Sequence, residues 1–135
     1  MRAIVLVLAL SSLILSGCGV MYRSAAEDFM RTQPASAWGK PPPANHNELE
    51  KNFILGLLKD PNSAMISFGE PTRIVTSASA LSPQVVPVWA SPVYVNARNS
   101  FGGYTGRKRW LFCYQNGKLH SLERDGDGTI YFPQK

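Results

Sequence analysis

The chain has 135 residues, of which 14 are Lys or Arg and 9 are Asp or Glu, giving a formal net charge of +5. This length predicts a single domain and excludes a large multidomain enzyme. Such a mild basic excess does not by itself indicate nucleic-acid binding, because many proteins without that function carry a similar charge.

Residues 1–17 have the composition of an export signal. Arg2 supplies one positive charge, and an apolar run of about 13 residues from Ala3 to Leu15 is shorter than the roughly 18–20 residues that span a bilayer. The run ends in "LSGC", Leu15-Ser16-Gly17-Cys18, which resembles the bacterial lipobox. The resemblance implies that the Cys18 thiol is diacylglycerylated, the signal is cut before Cys18, and the new amino group is acylated. The alternative is an ordinary signal peptide with a cysteine near the cut by chance.

Lipidation at Cys18 would place the protein on a membrane, since two or three acyl chains make a stable anchor. Gly19, rather than Asp, follows the cysteine, which is compatible with sorting to the outer membrane. We therefore expect a lipid-anchored protein at the periplasmic face of the outer membrane, with no nucleic-acid partner. Its basic residues would meet lipid headgroups, lipopolysaccharide phosphates, peptidoglycan carboxylates or an acidic protein.

Residues 18–44 are predicted to be a Pro-rich tether that separates the lipid from the domain. The stretch "SAAEDFMR" favours a short helical segment, and Pro41-Pro42-Pro43 favours an extended polyproline II spacer. The three prolines could alternatively bind a partner.

The domain is predicted to occupy residues 45–135 and to begin with an amphipathic helix of about 14 residues. Asn45 followed by Glu48 is a capping-box pattern, and Asp60 before Pro61 ends the helix near Lys59. The apolar face would consist of residues at helical spacing: Leu49, Phe53, Ile54, Leu57 and Leu58.

The remaining segments alternate or are rich in β-branched and aromatic residues, which predicts strands: "AMISF", "TRIVT", "VVPVWASPVYVNA", "KRWLFCY", "LHSLER" and "TIYF". Pro87 and Pro92 lack the N–H donor, so the first half of the third segment is expected at an edge or in irregular structure. Asn116-Gly117 predicts a tight hairpin. The fold class is α+β, with one N-terminal helix packed on a four- to five-stranded antiparallel meander.

The unpaired Cys113 is the main candidate for nucleophilic chemistry. Alternation in "RWLFCYQ" places Trp110, Phe112 and Tyr114 on one face and Cys113 on the other. Pairing around the Asn116-Gly117 turn would set Cys113 opposite His120. Core packing of the two side chains explains this pair better than catalysis, and burial of the thiol is preferred to a reactive or intermolecular cysteine.

Other chemistry has weaker support. "RDGDGT" (Arg124–Thr129) has alternating oxygen ligands, but it lacks the sixth-position Gly and twelfth-position Glu of a calcium loop, so a hairpin turn explains it better. The spacing of His46 and His120 does not predict a zinc site. Glu48, Glu50, Glu70 and Glu123 are not flanked by the apolar pocket residues that would raise a carboxyl pKa. We therefore predict no catalytic residue, metal or cofactor.

The segment "VNARNSFGGYTGRKRW" (Val95–Trp110) contains three glycines, aromatics and consecutive basic residues. It does not match either glycine-rich phosphate loop, and a strand rather than a helix follows it. A strand–glycine turn–strand is predicted. Its polar side chains form the candidate binding surface: Asn96, Arg98, Asn99, Tyr104, Thr105, Arg107, Lys108 and Arg109.

Two motifs, "LKDPNSA" (Leu58–Ala64) and "VNARNSFGGYTG" (Val95–Gly106), resemble a family of small bacterial exported proteins and lipoproteins. The resemblance covers roughly residues 45–114 and implies a fold and a compartment, since this family has no assigned reaction. Family members often carry Cys-Gly before Val-Asn-Ala. This chain has Pro92-Val93 there, so a partner for Cys113 is not expected.

These observations predict a structural or interaction role, such as an accessory subunit of an envelope assembly. The alternative is a periplasmic inhibitor or a module that binds an anionic ligand. An enzyme is the third possibility, and it would depend on Cys113 and His120.

Overall fold

The computed structural model describes residues 23–134, and the predicted signal peptide and Cys18 lie outside this range. The fold combines helices with an antiparallel sheet and contains two α-helices and six strands among the described residues. Helix α1 covers residues 23–32, and 3₁₀ turns lie at Ala35–Trp38 and Pro61–Ser63. The other elements are α2 (His46–Leu57), β1 (Met65–Phe68), β2 (Thr72–Ser77), β3 (Val85–Asn96), β4 (Lys108–Gln115), β5 (Lys118–Arg124) and β6 (Gly128–Tyr131).

The chain divides into two compact units. In the described part of the chain, the first comprises residues 23–35 and 75–86. Within it, Arg31 and Asp28 form an exposed ion pair of 2.6 Å on α1, and the Ala78 N–H donates to the Gln84 carbonyl across a turn. The second unit comprises Ser36–Ile74 and Pro87–Lys135 and holds the core and the candidate site.

The sheet has the strand order β1-β3-β4-β5-β6, and β2 also pairs with β3. The described residues thus form at least one strand more than the four or five predicted. The sheet also departs from the predicted meander, because β1 and β2 both pair with β3. The expectation of an edge or irregular structure applied to the first half of β3. The β3–β4 register begins at Trp89, so Val85–Val88 lie outside it, whereas Trp89–Val95 pair with β4 and Val93–Asn96 also pair with β1.

Pro92 has no backbone N–H to donate to a neighbouring strand. The sheet tolerates it because Pro92 lies opposite the gap between β1 and β2. The Pro92 carbonyl accepts from the Gly69 N–H at 2.8 Å, and Gly69 is the first residue after β1. The ladder is already interrupted there, so little pairing is lost. A Cβ on Gly69 would lie 2.7 Å from Pro92 Cγ, so glycine also permits the close approach.

The main core lies between α2 and one face of the sheet. As alternation predicted, Trp110, Phe112 and Tyr114 point to the same core, where they join Ile54 of α2. The remaining members of this buried cluster are Val93, Val95 and Leu122. The Phe53 ring contacts the Phe112 ring edge-on, with centroids 5.9 Å apart.

The predicted apolar face of α2 is only partly buried. Ile54 is fully buried, but Leu49 and Leu57 are 48% and 51% exposed. Glu50 is instead buried, with 2% of its surface exposed. Asn45 is the N-cap residue but makes no side-chain capping hydrogen bond, and the helix ends at Leu57 rather than near Lys59.

Residues 36–44, assigned to the tether from their composition, belong to the second unit and contact its sheet. Trp38 is 4% exposed, and its indole N–H donates to the Ile74 carbonyl at 2.7 Å. The Lys40 N–H donates to Asn116 Oδ1 at 3.2 Å. The packed domain therefore begins before Asn45, and Trp38 attaches this segment to it.

Candidate functional site

The connection between β3 and β4, residues 97–107, has the predicted strand–glycine turn–strand form. Asn99 organises it, because Asn99 Oδ1 accepts from the N–H groups of Phe101 at 2.9 Å and Gly103 at 3.2 Å. The Asn99 N–H donates to the Gly103 carbonyl at 2.8 Å, and Arg98 and Tyr104 form an isolated β-bridge. The Asn99 side chain therefore stabilises the loop rather than facing a partner through its oxygen.

This loop contacts the segment that follows α2. The Arg98 N–H donates to Ser63 Oγ at 2.9 Å, and the Tyr104 hydroxyl donates to the Ser63 carbonyl at 3.3 Å. Lys59 Nζ donates to Ser100 Oγ at 3.2 Å. The two motifs on which the family resemblance depends are therefore in direct contact, and Ser63 joins them.

Phe101 is an exposed aromatic residue of this loop that the predicted binding surface did not include. It lies between Asn99 and Gly103 with 96% of its surface exposed. Its neighbour Tyr104 is 46% exposed, and Arg98 lies over the Tyr104 ring, 5.3 Å from its centroid. An aromatic side chain next to Gly102 in a polar loop would have indicated it, since an exposed aromatic ring is a frequent anchor in protein interfaces.

Beneath this loop lies a cleft of about 310 Å³, here called the basic cleft. Four predicted site residues line it: Arg98, Asn99, Thr105 and Lys108. The other lining residues are Leu57, Leu58, Lys59, Val95, Ala97, Trp110, Arg124 and Asp127. Four side chains are thus basic and one is acidic, and the rest of the wall is largely apolar.

Arg124 also lines the basic cleft, although the predicted binding surface did not include it. It lies at the end of β5, and its guanidinium lies 5.4 Å from the Trp110 ring centroid. Its Nε atom is buried and has no hydrogen-bond partner among residues 23–134. No local pattern points to this residue, because β5 reaches the cleft only by pairing with β4, which sets Arg124 opposite Trp110.

The remaining predicted residues lie outside the basic cleft. Arg109 alternates with Lys108 and Trp110 and so projects from the other face of β4, where it lies 3.6 Å from Glu123 and 3.8 Å from Asp125. Arg107 lies over the Tyr94 ring at 4.1 Å. The Asn96 side-chain oxygen is buried without a hydrogen-bond partner in the described part of the chain. The predicted surface is therefore not one continuous site.

The predicted pair of Cys113 and His120 is wrong. Gln115 pairs with Lys118 and Tyr114 with Leu119 as expected, but an irregularity between Cys113 and Tyr114 shifts the register. Cys113 consequently lies opposite Ser121. Burial raises the pKa of the Cys113 thiol to about 11, with a smaller opposing effect from its hydrogen bond to Ser121. These contacts support packing rather than a nucleophile.

Glu50 overturns the expectation that no glutamate has apolar surroundings. Its carboxylate accepts hydrogen bonds from the Tyr114 hydroxyl at 3.0 Å and from Ser91 Oγ at 3.1 Å. Burial raises its pKa above the usual value, although both hydrogen bonds oppose the shift. A second pocket of about 250 Å³ adjoins it, with Phe53, Phe112 and Leu119 in its wall.

The segment "RDGDGT" forms the turn between β5 and β6, as the hairpin interpretation predicted. Asp125 is engaged there, because its Oδ2 accepts from the Arg109 N–H at 3.0 Å. Within residues 23–134, no cluster of three or more His, Cys, Asp or Glu could hold a metal ion.

The helices in the described part of the chain include none with the length and apolar character needed to span a membrane. Comparison with family models, with curated proteins and with solved structures finds no match to this chain.

Proposed function

We propose that this protein is an outer-membrane lipoprotein, anchored through Cys18 and facing the periplasm, with a structural or interaction role. It would serve as an accessory subunit of an envelope assembly. The lipobox-like Leu15–Cys18 and the short apolar run before it support the anchor. One small α+β domain, with α2 packed on the antiparallel strands, would carry the interaction, and the proposal assigns it no catalytic step.

The exposure of the Phe101 side chain supports an interaction role most directly. A phenyl ring that is 96% exposed gains much by burial against a partner, about 1.5–3 kcal/mol for full transfer from water. Four hydrogen bonds join Asn99 to Phe101, Gly102 and Gly103 and hold the loop, so little conformational entropy is lost on binding. The loop would present Phe101 and Tyr104 to a protein partner.

A photo-cross-linking amino acid at position 101 tests this role in intact cells. We expect one specific adduct with an envelope protein, and we expect Asn99→Ala to reduce it because the loop loses its support. Leu81 is the matched control position, since it is 97% exposed and apolar but lies in the turn between β2 and β3. Equal adducts from positions 81 and 101 would contradict a specific surface.

The anchor is tested separately through Cys18→Ala. The proposed lipoprotein should then no longer be processed normally and should leave the membrane fraction. A variant that still matures and sediments with membranes would rule out lipidation at Cys18, whatever position 101 shows.

The second candidate function is a periplasmic inhibitor or a module that binds an anionic ligand. The basic cleft supports it, because Lys59, Lys108 and Arg124 line the same small volume. An inhibitor would bind an envelope hydrolase without needing its lipid, whereas a subunit would need the anchor to reach its assembly. Binding of the unlipidated Cys18→Ser chain to a hydrolase would favour the inhibitor.

A further inference from the structure

We propose that the basic cleft is a binding site for a phosphate monoester carried on a sugar or on a lipid, with Arg124 and Lys108 as its central ligands. This inference rests on the second of the two proposed functions, and it is independent of a protein partner at Phe101. The apolar part of the cleft wall would contact the group that bears the phosphate.

The charges of the cleft favour an anion. Its wall carries Lys59, Arg98, Lys108 and Arg124 but only one carboxylate, that of Asp127. The three ion pairs among residues 23–134 involve Arg31 or Arg109, and neither of these lines the cleft. Like charges in one concave site repel one another, so a bound anion would relieve this repulsion.

Arg124 is oriented for such a contact. Its guanidinium lies over Trp110, which is 6% exposed, and its Nε atom has already lost its water. A buried donor without a partner costs free energy that a new hydrogen bond recovers, and hydrogen bonds between ionised groups are the strongest kind. Stacking on the indole also limits the rotamers of Arg124, so less side-chain entropy is lost when an anion binds.

A phosphate suits this site better than a carboxylate. A phosphate monoester carries up to two negative charges and three acceptor oxygens, enough for two or more of the basic groups at once. The cleft volume of about 310 Å³ equals that of about ten water molecules at liquid density, so it holds more than the phosphate alone. Leu57, Leu58 and Val95 offer apolar surface for the adjoining group.

Titration of the unlipidated Cys18→Ser mature chain in detergent-free buffer tests the site, with the Trp110 indole and Arg124 amide signals followed by NMR. The soluble probe is glucose 1-phosphate, with glucose as its uncharged counterpart. The lipid probe is a phosphatidylcholine vesicle with and without phosphatidic acid. We expect saturable shifts at both residues with a phosphorylated probe and none with glucose or plain vesicles. Saturation by the sugar phosphate alone assigns a soluble ligand, and saturation by the acidic vesicle alone assigns a lipid headgroup.

The decisive comparison is Arg124→Gln against Arg109→Gln. Both variants remove one positive charge, but Arg109 lies outside the cleft and is paired with Glu123 and Asp125. Arg124→Gln should weaken binding about tenfold or more, and Arg109→Gln should change it less than about threefold. Equal losses, or no saturable shift with either phosphorylated probe, would overturn the proposal.

Two further variants keep the test independent of folding and of the partner surface. Lys108 is exposed, so Lys108→Gln should fold normally and should also weaken binding if Arg124→Gln proves unstable. Phe101→Ala should retain phosphate binding, because Phe101 does not line the cleft. Unchanged affinity in folded Lys108→Gln would contradict the site.

Discussion

The Tyr114 hydroxyl on β4 donates a hydrogen bond of 3.0 Å to the Glu50 carboxylate on α2, and Glu50 is 2% exposed. A helix and the centre of the sheet are thus joined through a buried polar contact. Ser91 of β3 donates to the other carboxylate oxygen at 3.1 Å. Both oxygens of a group that is costly to bury are therefore satisfied.

Tyr114→Phe should destabilise the protein by about 1–3 kcal/mol at pH 7, because one buried carboxylate oxygen loses its partner. Urea unfolding followed by circular dichroism measures the change. Tyr94→Phe is the control, since it removes a hydroxyl from β3 but keeps the ring beneath Arg107. It should change the free energy of unfolding by less than about 0.5 kcal/mol. Equal effects of the two variants would show that the Glu50 contact contributes nothing specific.

Glu50 should make the free energy of unfolding fall as the pH rises. An acid in a salt bridge has the opposite effect, because its pKa is lowered in the folded state. Burial raises its folded-state pKa above the ordinary 4.5, so the folded state binds more protons than the unfolded state between the two values. The contribution of Glu50 is complete below pH 4.5 and is lost as the pH rises through the raised pKa.

The difference between wild type and Glu50→Gln isolates this contribution, because Gln has similar size but cannot ionise. From pH 4.5 upward, the free energy of unfolding of the wild type should fall relative to that of Glu50→Gln. Parallel pH profiles of the two proteins would be inconsistent with a raised pKa.

Cys113 should resist alkylation in the folded protein. The thiolate is the reactive form, and burial that raises the thiol pKa to about 11 leaves little of it at pH 8. Iodoacetamide labelling with mass spectrometry of the peptide containing Cys113 should show slow modification in buffer and rapid modification in urea. Rapid labelling without urea would reveal an accessible, activated cysteine.

Gly69→Ala and Gly56→Ala should have opposite effects on stability. A Cβ at position 69 would lie 2.7 Å from Pro92 Cγ in the centre of the sheet, which should cost about 1–3 kcal/mol. At position 56, in α2, a Cβ meets no heavy atom within 4 Å, so the higher helix propensity of Ala should add about 0.5–1 kcal/mol. Thermal unfolding of both variants measures the difference, and a stable Gly69→Ala would mean that Pro92 can move.

Local patterns predicted the parts of the fold that depend on neighbouring residues. Asn116 and Gly117 have φ values of 50° and 80°, the left-handed angles that a tight hairpin requires, and the first two residue pairs follow the predicted register. Period-two alternation likewise assigned Trp110, Phe112 and Tyr114 to one buried face. The hairpin turn and the alternation each depend on a few consecutive residues, so the local sequence is enough to predict them.

The same local reasoning failed where distant segments meet. A break in register beyond Tyr114 replaced His120 by Ser121 opposite Cys113. Proline content did not predict that the part of β3 containing Pro92 is paired on both sides, which is possible because the gap after β1 lies opposite Pro92. For the candidate site, the sequence predicted Arg98, Asn99, Thr105 and Lys108, but it did not predict Arg124, which another strand contributes.

The sequence by itself determined the alternation of the strands and the positions of the turns, because these depend on composition and short-range periodicity. Only the tertiary structure decided that Glu50 is buried, that Phe101 is exposed and that Arg124 shares a cleft with Lys108. Burial and charge proximity depend on which surfaces pack together, and that is set by the pairing of strands far apart in the chain.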